Sequence, residues 1–71
     1  MNFEQILNNF KELSKFLEEQ ENMLQNMKVK RGYATIKWAA LRHVRSMKKD
    51  VAVVISKLST LKGLLDMLEE G

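Results

Sequence analysis

Apolar residues recur along this chain in alternating steps of three and four. Phe3, Phe10, Leu17 and Leu24 form one seven-residue series, and Ile6, Leu13, Gln20 and Met27 form a second. Positions spaced this way share one helix face, so the two series together predict a single buried stripe. Leu7, Phe16 and Met23 widen it beyond a narrow coiled-coil seam. Asn2 suits the N-cap, with Gln5 three residues on as its capping-box partner. The pattern predicts helix 1 over about residues 3–28.

The periodicity stumbles at Val29-Lys30-Arg31-Gly32, where a turn over about residues 29–32 is predicted. Glycine takes the left-handed conformation that suits a residue just past a helix end. Lys28, Lys30 and Arg31 would complement the negative end of the helix dipole. A continuous helix through Gly32 is the alternative, because one interior glycine costs only about 1 kcal/mol. After the turn, Val44, Val51, Leu58 and Leu65 make one series and Ala40, Met47, Val54, Leu61 and Leu68 the other. Ile36, Leu41, Ile55 and Leu64 flank them. Helix 2 is predicted over about residues 33–68, with a break at Ser59-Thr60 opening a short third helix as the alternative.

These elements predict an all-α fold, a single domain over residues 1–71 built as an antiparallel hairpin of two long amphipathic helices. At about 1.5 Å per residue the helices span roughly 39 and 53 Å. The longer one therefore overhangs, carrying Leu58, Leu61, Leu64, Leu65 and Leu68 past the end of helix 1. Each such side chain left in water forfeits on the order of 1.5–3 kcal/mol of burial. A helix pair also leaves one side of its core open. The expected resolution is a homodimer of hairpins, a four-helix bundle; a three-helix monomer with its tail folded back is the alternative.

Composition narrows this further. There is no proline, no cysteine and a single histidine, His43. Disulfides and thiolate metal sites are removed, and no cofactor is expected. A chain of 71 residues buries only a modest share of its surface. Self-association is the remaining route to extra stability. No apolar run approaches the roughly 18 residues of a membrane span. The start of the chain lacks a secretory signal, so an intracellular, cytoplasmic setting is expected.

The net charge of +3 is unevenly spread. Residues 1–27 carry two cations and five carboxylates (−3), residues 28–49 eight cations and no acid (+8), and residues 50–71 two cations and four carboxylates (−2). Within the basic block, Trp38, Arg42, Arg45 and Lys49 fall on one outward stripe, with offsets of four, seven and eleven. Lys28, Lys30, Arg31 and Lys37 crowd the same end. An exposed indole beside cations can stack on a base while the cations meet phosphates, or it can anchor an acidic protein surface. The plainer reading is that antiparallel pairing brings Glu18, Glu19 and Glu21 to the basic half, with Trp38 lying over Arg42. A further seven-residue series, Ala39, Ser46, Val53, Thr60 and Met67 with Ala52 and Ser59 beside it, lies on the back of helix 2, where its small residues would permit close approach by another helix; the plainer reading is ordinary surface.

Nothing in the pattern supplies catalysis. Glu18, Glu19, Glu21, Glu69 and Glu70 sit at exposed positions without a neighbouring nucleophile, and no Gly-rich phosphate loop exists. In pattern, the architecture resembles the small plasmid-encoded RNA-modulating four-helix bundles, which are dimers of helical hairpins. The stretch Ala39-Ala40-Leu41-Arg42-His43-Val44-Arg45 is similar to an alanine-pair and arginine motif of short bacterial histone H1-like proteins, without their lysine-rich tail. The chain is assigned to neither family. The sequence thus predicts a non-enzymatic binding protein, nucleic-acid-binding or regulatory, acting through the basic Trp-containing face of helix 2. The alternative is a protein–protein adaptor or regulatory factor, viral or plasmid-encoded, that docks helix on helix. Surface binding to anionic membrane is a third class, disfavoured because the stripes are sized for helix partners.

Overall fold

The computed structural model describes residues 2–70. Two helices, α1 (Phe3–Asn26) and α2 (Ala34–Glu70), pack against each other. They run antiparallel. Near the turn Lys37 reaches Met27, midway Arg45 and Lys48 reach Glu21, and further out Leu58 and Lys62 share a cleft with Phe3 and Leu7. The result is a rod of 62 × 16 × 15 Å.

Local chemistry sets the ends of α1. Asn2 is extended, and its Oδ1 accepts from the Glu4 amide at 2.9 Å. That bond satisfies one of the free N–H groups of the first turn. No hydrogen bond returns from the Gln5 side chain among the described residues, so the cap is one-sided. At the other end α1 stops at Asn26, two residues before the predicted end, and Met27 is already extended (ψ 128°). Gly32 therefore does not cap α1. Its φ of +96° belongs to a tight turn in which the Tyr33 amide donates to the Lys30 carbonyl at 3.0 Å. Arg31 keeps a negative φ, which makes this a type II turn with glycine at its third position. α2 then runs unbroken through Ser59-Thr60. There the Thr60 hydroxyl donates to the Ser56 carbonyl at 3.1 Å, satisfied inside the helix instead of ending it.

The core is thin. Leu17, Leu41 and Val51 are buried, with Leu41 at 1% exposure. Around them Phe3, Leu7, Phe10 and Leu24 of α1 and Val44, Ile55 and Leu58 of α2 are half-buried. One predicted series on each helix therefore faces the partner. The second is covered only in part, with Ile6, Gln20 and Ala40 half-buried and the rest exposed, and the expectation of one shared stripe is corrected here. Met47, Val54, Leu61 and Leu68 on α2 are 47%, 37%, 43% and 76% exposed, and Leu13 and Met27 on α1 are 37% and 38% exposed. The facing positions beside Val44 and Val51 are Leu41, Lys48 and Ile55. Each helix has one neighbour, and one neighbour covers only the strip along the line of contact. Leu58, expected in the overhang, is half-buried beside Phe3 and Leu7. Lys62 still lies beside Phe3, so Leu61, also expected in the overhang, is level with the start of α1, and the unpartnered segment beyond it carries Leu64, Leu65 and Leu68.

Gly32→Ala should destabilise the hairpin by about 1–2 kcal/mol, the ordinary cost of a side chain in left-handed backbone. A Cβ there would meet nothing within 4 Å, so the whole effect is conformational. Gly32→Asn should recover part of the loss, since asparagine visits this region more readily. Urea unfolding of the three chains measures it; equal midpoints would mean that the turn does not require positive φ.

Candidate functional site

The basic block divides into cations held by the fold and cations left outside it. Lys37 is held. From the first turn of α2 its Nζ donates to the Met27 carbonyl at 2.8 Å and to the Gln25 carbonyl at 3.4 Å. The last turn of α1 has no basic residue of its own. Lys37 therefore brings positive charge to the negative end of the α1 dipole and satisfies carbonyls that the helix cannot. The sequence reading gave this task to Lys28, Lys30 and Arg31, which are instead exposed in the connection. The Lys37 ammonium also lies 5.8 Å from the centre of the Trp38 ring. The cation beside the indole is thus Lys37 and not Arg42.

Arg45 and Lys48 are held as well. The Arg45 Nε donates to Glu21 Oε2 and the Lys48 Nζ to Glu21 Oε1, both at 2.9 Å. The Glu21 side chain is 16% exposed, far more enclosed than Arg45 at 50%. Hydrogen bonds from Lys48 and then Arg45 hold its carboxyl below the usual range, against a smaller upward push from burial. Glu18 and Glu19, which the sequence also placed near the basic half, are exposed and make no ion pair among the described residues. The sequence reading missed Lys48. Reflecting Glu21 across the break predicted at residues 29–32 lands near Leu41, short of Arg45 and Lys48, because the connection runs on to Tyr33 and moves the centre of the turn to about residues 33–34.

What remains free is Trp38, 58% exposed, with Arg42 and Lys49 exposed near it. Neither cation is ion-paired among the described residues. At about 100° per residue, Trp38, Arg42, Arg45 and Lys49 fall on one flank of the seam marked by Leu41, Val44, Val51 and Ile55. Ile36, Ala40, Met47, Val54, Leu61 and Leu65 fall on the other. In an antiparallel pair the corresponding flank of α1 carries Leu13, Phe16, Met23 and Met27. An open groove of about 400 Å³ at the turn end, bordered by Leu24, Met27, Tyr33, Ile36 and Ala40, shows the two apolar flanks meeting. The hairpin therefore has an apolar side and, facing away from it, a basic one. The small residues Ala39, Ser46, Val53 and Thr60 are exposed on the back of α2.

Among the described residues no group of three His, Cys, Asp or Glu side chains is placed to hold a metal ion, and no helix is long and apolar enough to cross a membrane. No protein-family model, curated protein or solved structure matches this chain.

Because the folded-state pKa of Glu21 is depressed, its stabilising effect is complete above the unfolded glutamate value of about 4.3 and is lost as pH falls through its own lower value. Thermal melts across this range should show wild type losing stability in acid more steeply than Glu21→Gln, which starts lower at neutral pH. Parallel acid limbs for the two chains would remove Glu21 from the set of interactions that hold the hairpin.

Proposed function

We propose that the protein is a non-enzymatic homodimer of hairpins that binds a polyanion, nucleic acid, through the flank of α2 bearing Trp38, Arg42 and Lys49. The observation that carries the reading is the free state of these three residues on the side away from the apolar flank. Were two hairpins to join through their apolar sides, this flank would remain outward on both copies.

Two physical terms support it. Cations that neutralise phosphates release counterions, giving affinity that is large and salt-dependent. An exposed indole offers a stacking surface for any base. The turn-proximal half, residues 18–49, holds eight cations and three carboxylates, a net +5. Lys28, Lys30 and Arg31 contribute a field that draws polyanions toward this end. Arg45, already on Glu21, and Lys37, already on α1, are less free to serve.

Dimerisation is supported by the apolar flank. Phe16, Met23, Ile36 and Met47 are each about half exposed or more. Covering a half-exposed side chain of this size recovers on the order of 1 kcal/mol, about half of the full-burial value. Among the described residues nothing covers them. The same flank favours a second reading, an adaptor that docks a helix of another protein there.

Binding of a single-stranded oligonucleotide should weaken steeply with salt. Arg42→Ala with Lys49→Ala should reduce the slope of log K against log salt by about 1.5, since each phosphate contact contributes roughly 0.7 on single strands. Trp38→Ala should weaken binding by about 1–3 kcal/mol and leave the slope unchanged. Fluorescence titration at several salt concentrations gives both numbers. No binding, or a slope indifferent to Arg42 and Lys49, rejects the proposal.

A further inference from the structure

The apolar flank holds two features that lack a partner at opposite ends of the rod. At the turn end is the open groove bordered by Leu24, Met27, Tyr33, Ile36 and Ala40. At the other end α2 runs on beyond α1 with Leu64, Leu65 and Leu68 between 37% and 76% exposed, and Leu61 is 43% exposed just before the overhang. Leu61 and Leu65 continue the stripe of Ile36, Ala40, Met47 and Val54, so groove and overhang lie on the same side of the hairpin.

We infer that the groove receives the overhang of a second copy, and that the two hairpins lie antiparallel with their turns at opposite ends. The inference rests on the dimer proposed above and fixes its direction. Length supports it. If two rods of 62 Å overlap fully about a two-fold axis, the axis passes near residue 49 of α2. A residue on one α2 then lies level with a partner position such that the two numbers sum to about 99. Leu65 of one copy comes level with the start of α2 in the other, and Leu61 with the turn of helix that holds Ile36, Lys37 and Ala40. The overhang thus spans the groove. A parallel pair would leave both grooves empty and place the two overhangs against each other.

Charge points the same way. The turn-proximal half carries +5, whereas residues 50–71 carry −2 through Asp50, Asp66, Glu69 and Glu70 against Lys57 and Lys62. Lys30 and Lys37 border the groove. Antiparallel packing brings Asp66, Glu69 and Glu70 to that basic end, while parallel packing would set +5 beside +5. The contact is isologous: each copy gives its overhang and receives the other's, so the assembly closes at two.

The absence of native cysteine makes the arrangement directly testable. Two full-length variants, Ile36→Cys and Leu65→Cys, are mixed, allowed to exchange and treated with a short bismaleimide. The wild-type mass is measured by light scattering. In the inferred dimer the two Ile36 positions, like the two Leu65 positions, are about 40 Å or more apart along the axis, beyond the reagent. Ile36 of one copy and Leu65 of the other are neighbours. The expected result is a dimeric mass, a cross-linked mixed dimer, and little product from either variant alone. Cross-linking of Leu65→Cys to itself would establish the parallel arrangement and overturn the inference. A dimeric mass without mixed product would overturn the inference and leave the dimer standing. A monomeric mass would overturn both.

Discussion

Two helices packed against each other share a single line of contact, and everything else in this structure follows from how little that line covers. Three side chains, Leu17, Leu41 and Val51, are buried along it. Both helices carry apolar stripes wider than a neighbour on one side can shield. Most of the excess lies on one flank, because the helical repeat that places Leu41, Val44 and Val51 on the seam places Met47, Val54 and Leu61 beside it, while Val53, Leu64 and Met67 are exposed on the back.

Polar contacts then set the register along that line. Apolar packing alone is permissive, since shifting one helix by a turn exchanges one leucine for another. Glu21 held between Arg45 and Lys48 at 2.9 Å, and Lys37 held on the last carbonyls of α1, are not interchangeable in this sense. A shift of one helical turn, about 5.4 Å, would bring only one of Arg45 and Lys48 to Glu21 and would leave α1 without its terminal cation. Each contact also withdraws a cation from the basic block. The charge that looks largest in the sequence is therefore partly internal, spent on holding the hairpin closed.

Helix type, the position of the turn and the overhang were legible because each rests on a local rule. Three-four spacing, one glycine at a break and helix lengths that differ by several turns are visible without knowing any tertiary contact. The phase of the seam was less legible. Val44, Val51 and Leu58 were placed on it, but their companions are Leu41, Lys48 and Ile55, and on α1 Ser14 and Glu21 share the seam with Leu17 and Leu24. A pattern that counts apolar residues assigns Lys48, Ser14 and Glu21 to water and slides toward the richer series through Met47 and Val54. Cross-helix ion pairing reverses that choice. Among the candidate binding residues, the same effect separates Arg45 and Lys37, which the fold uses, from Trp38, Arg42 and Lys49, which it leaves free.

The division of α2 into a seam with one flank on either side links the two proposals. A helix that met its partner along the centre of its widest stripe would have its leftover apolar residues split between both flanks, and a second hairpin covering them would crowd the cations. Here Lys48 shares the seam with Leu41, Val44 and Val51, and Ile36, Met47, Val54, Leu61 and Leu65 fall on the flank away from the cations, with Val53, Leu64 and Met67 exposed on the back of α2. Trp38, Arg42 and Lys49 are then separated from the apolar flank by the width of the hairpin itself. Self-association and polyanion binding, as proposed, do not compete for side chains on α2. They meet only at the turn, where Lys30 borders the groove and belongs at once to the attracting field and to the rim that would receive the acidic overhang.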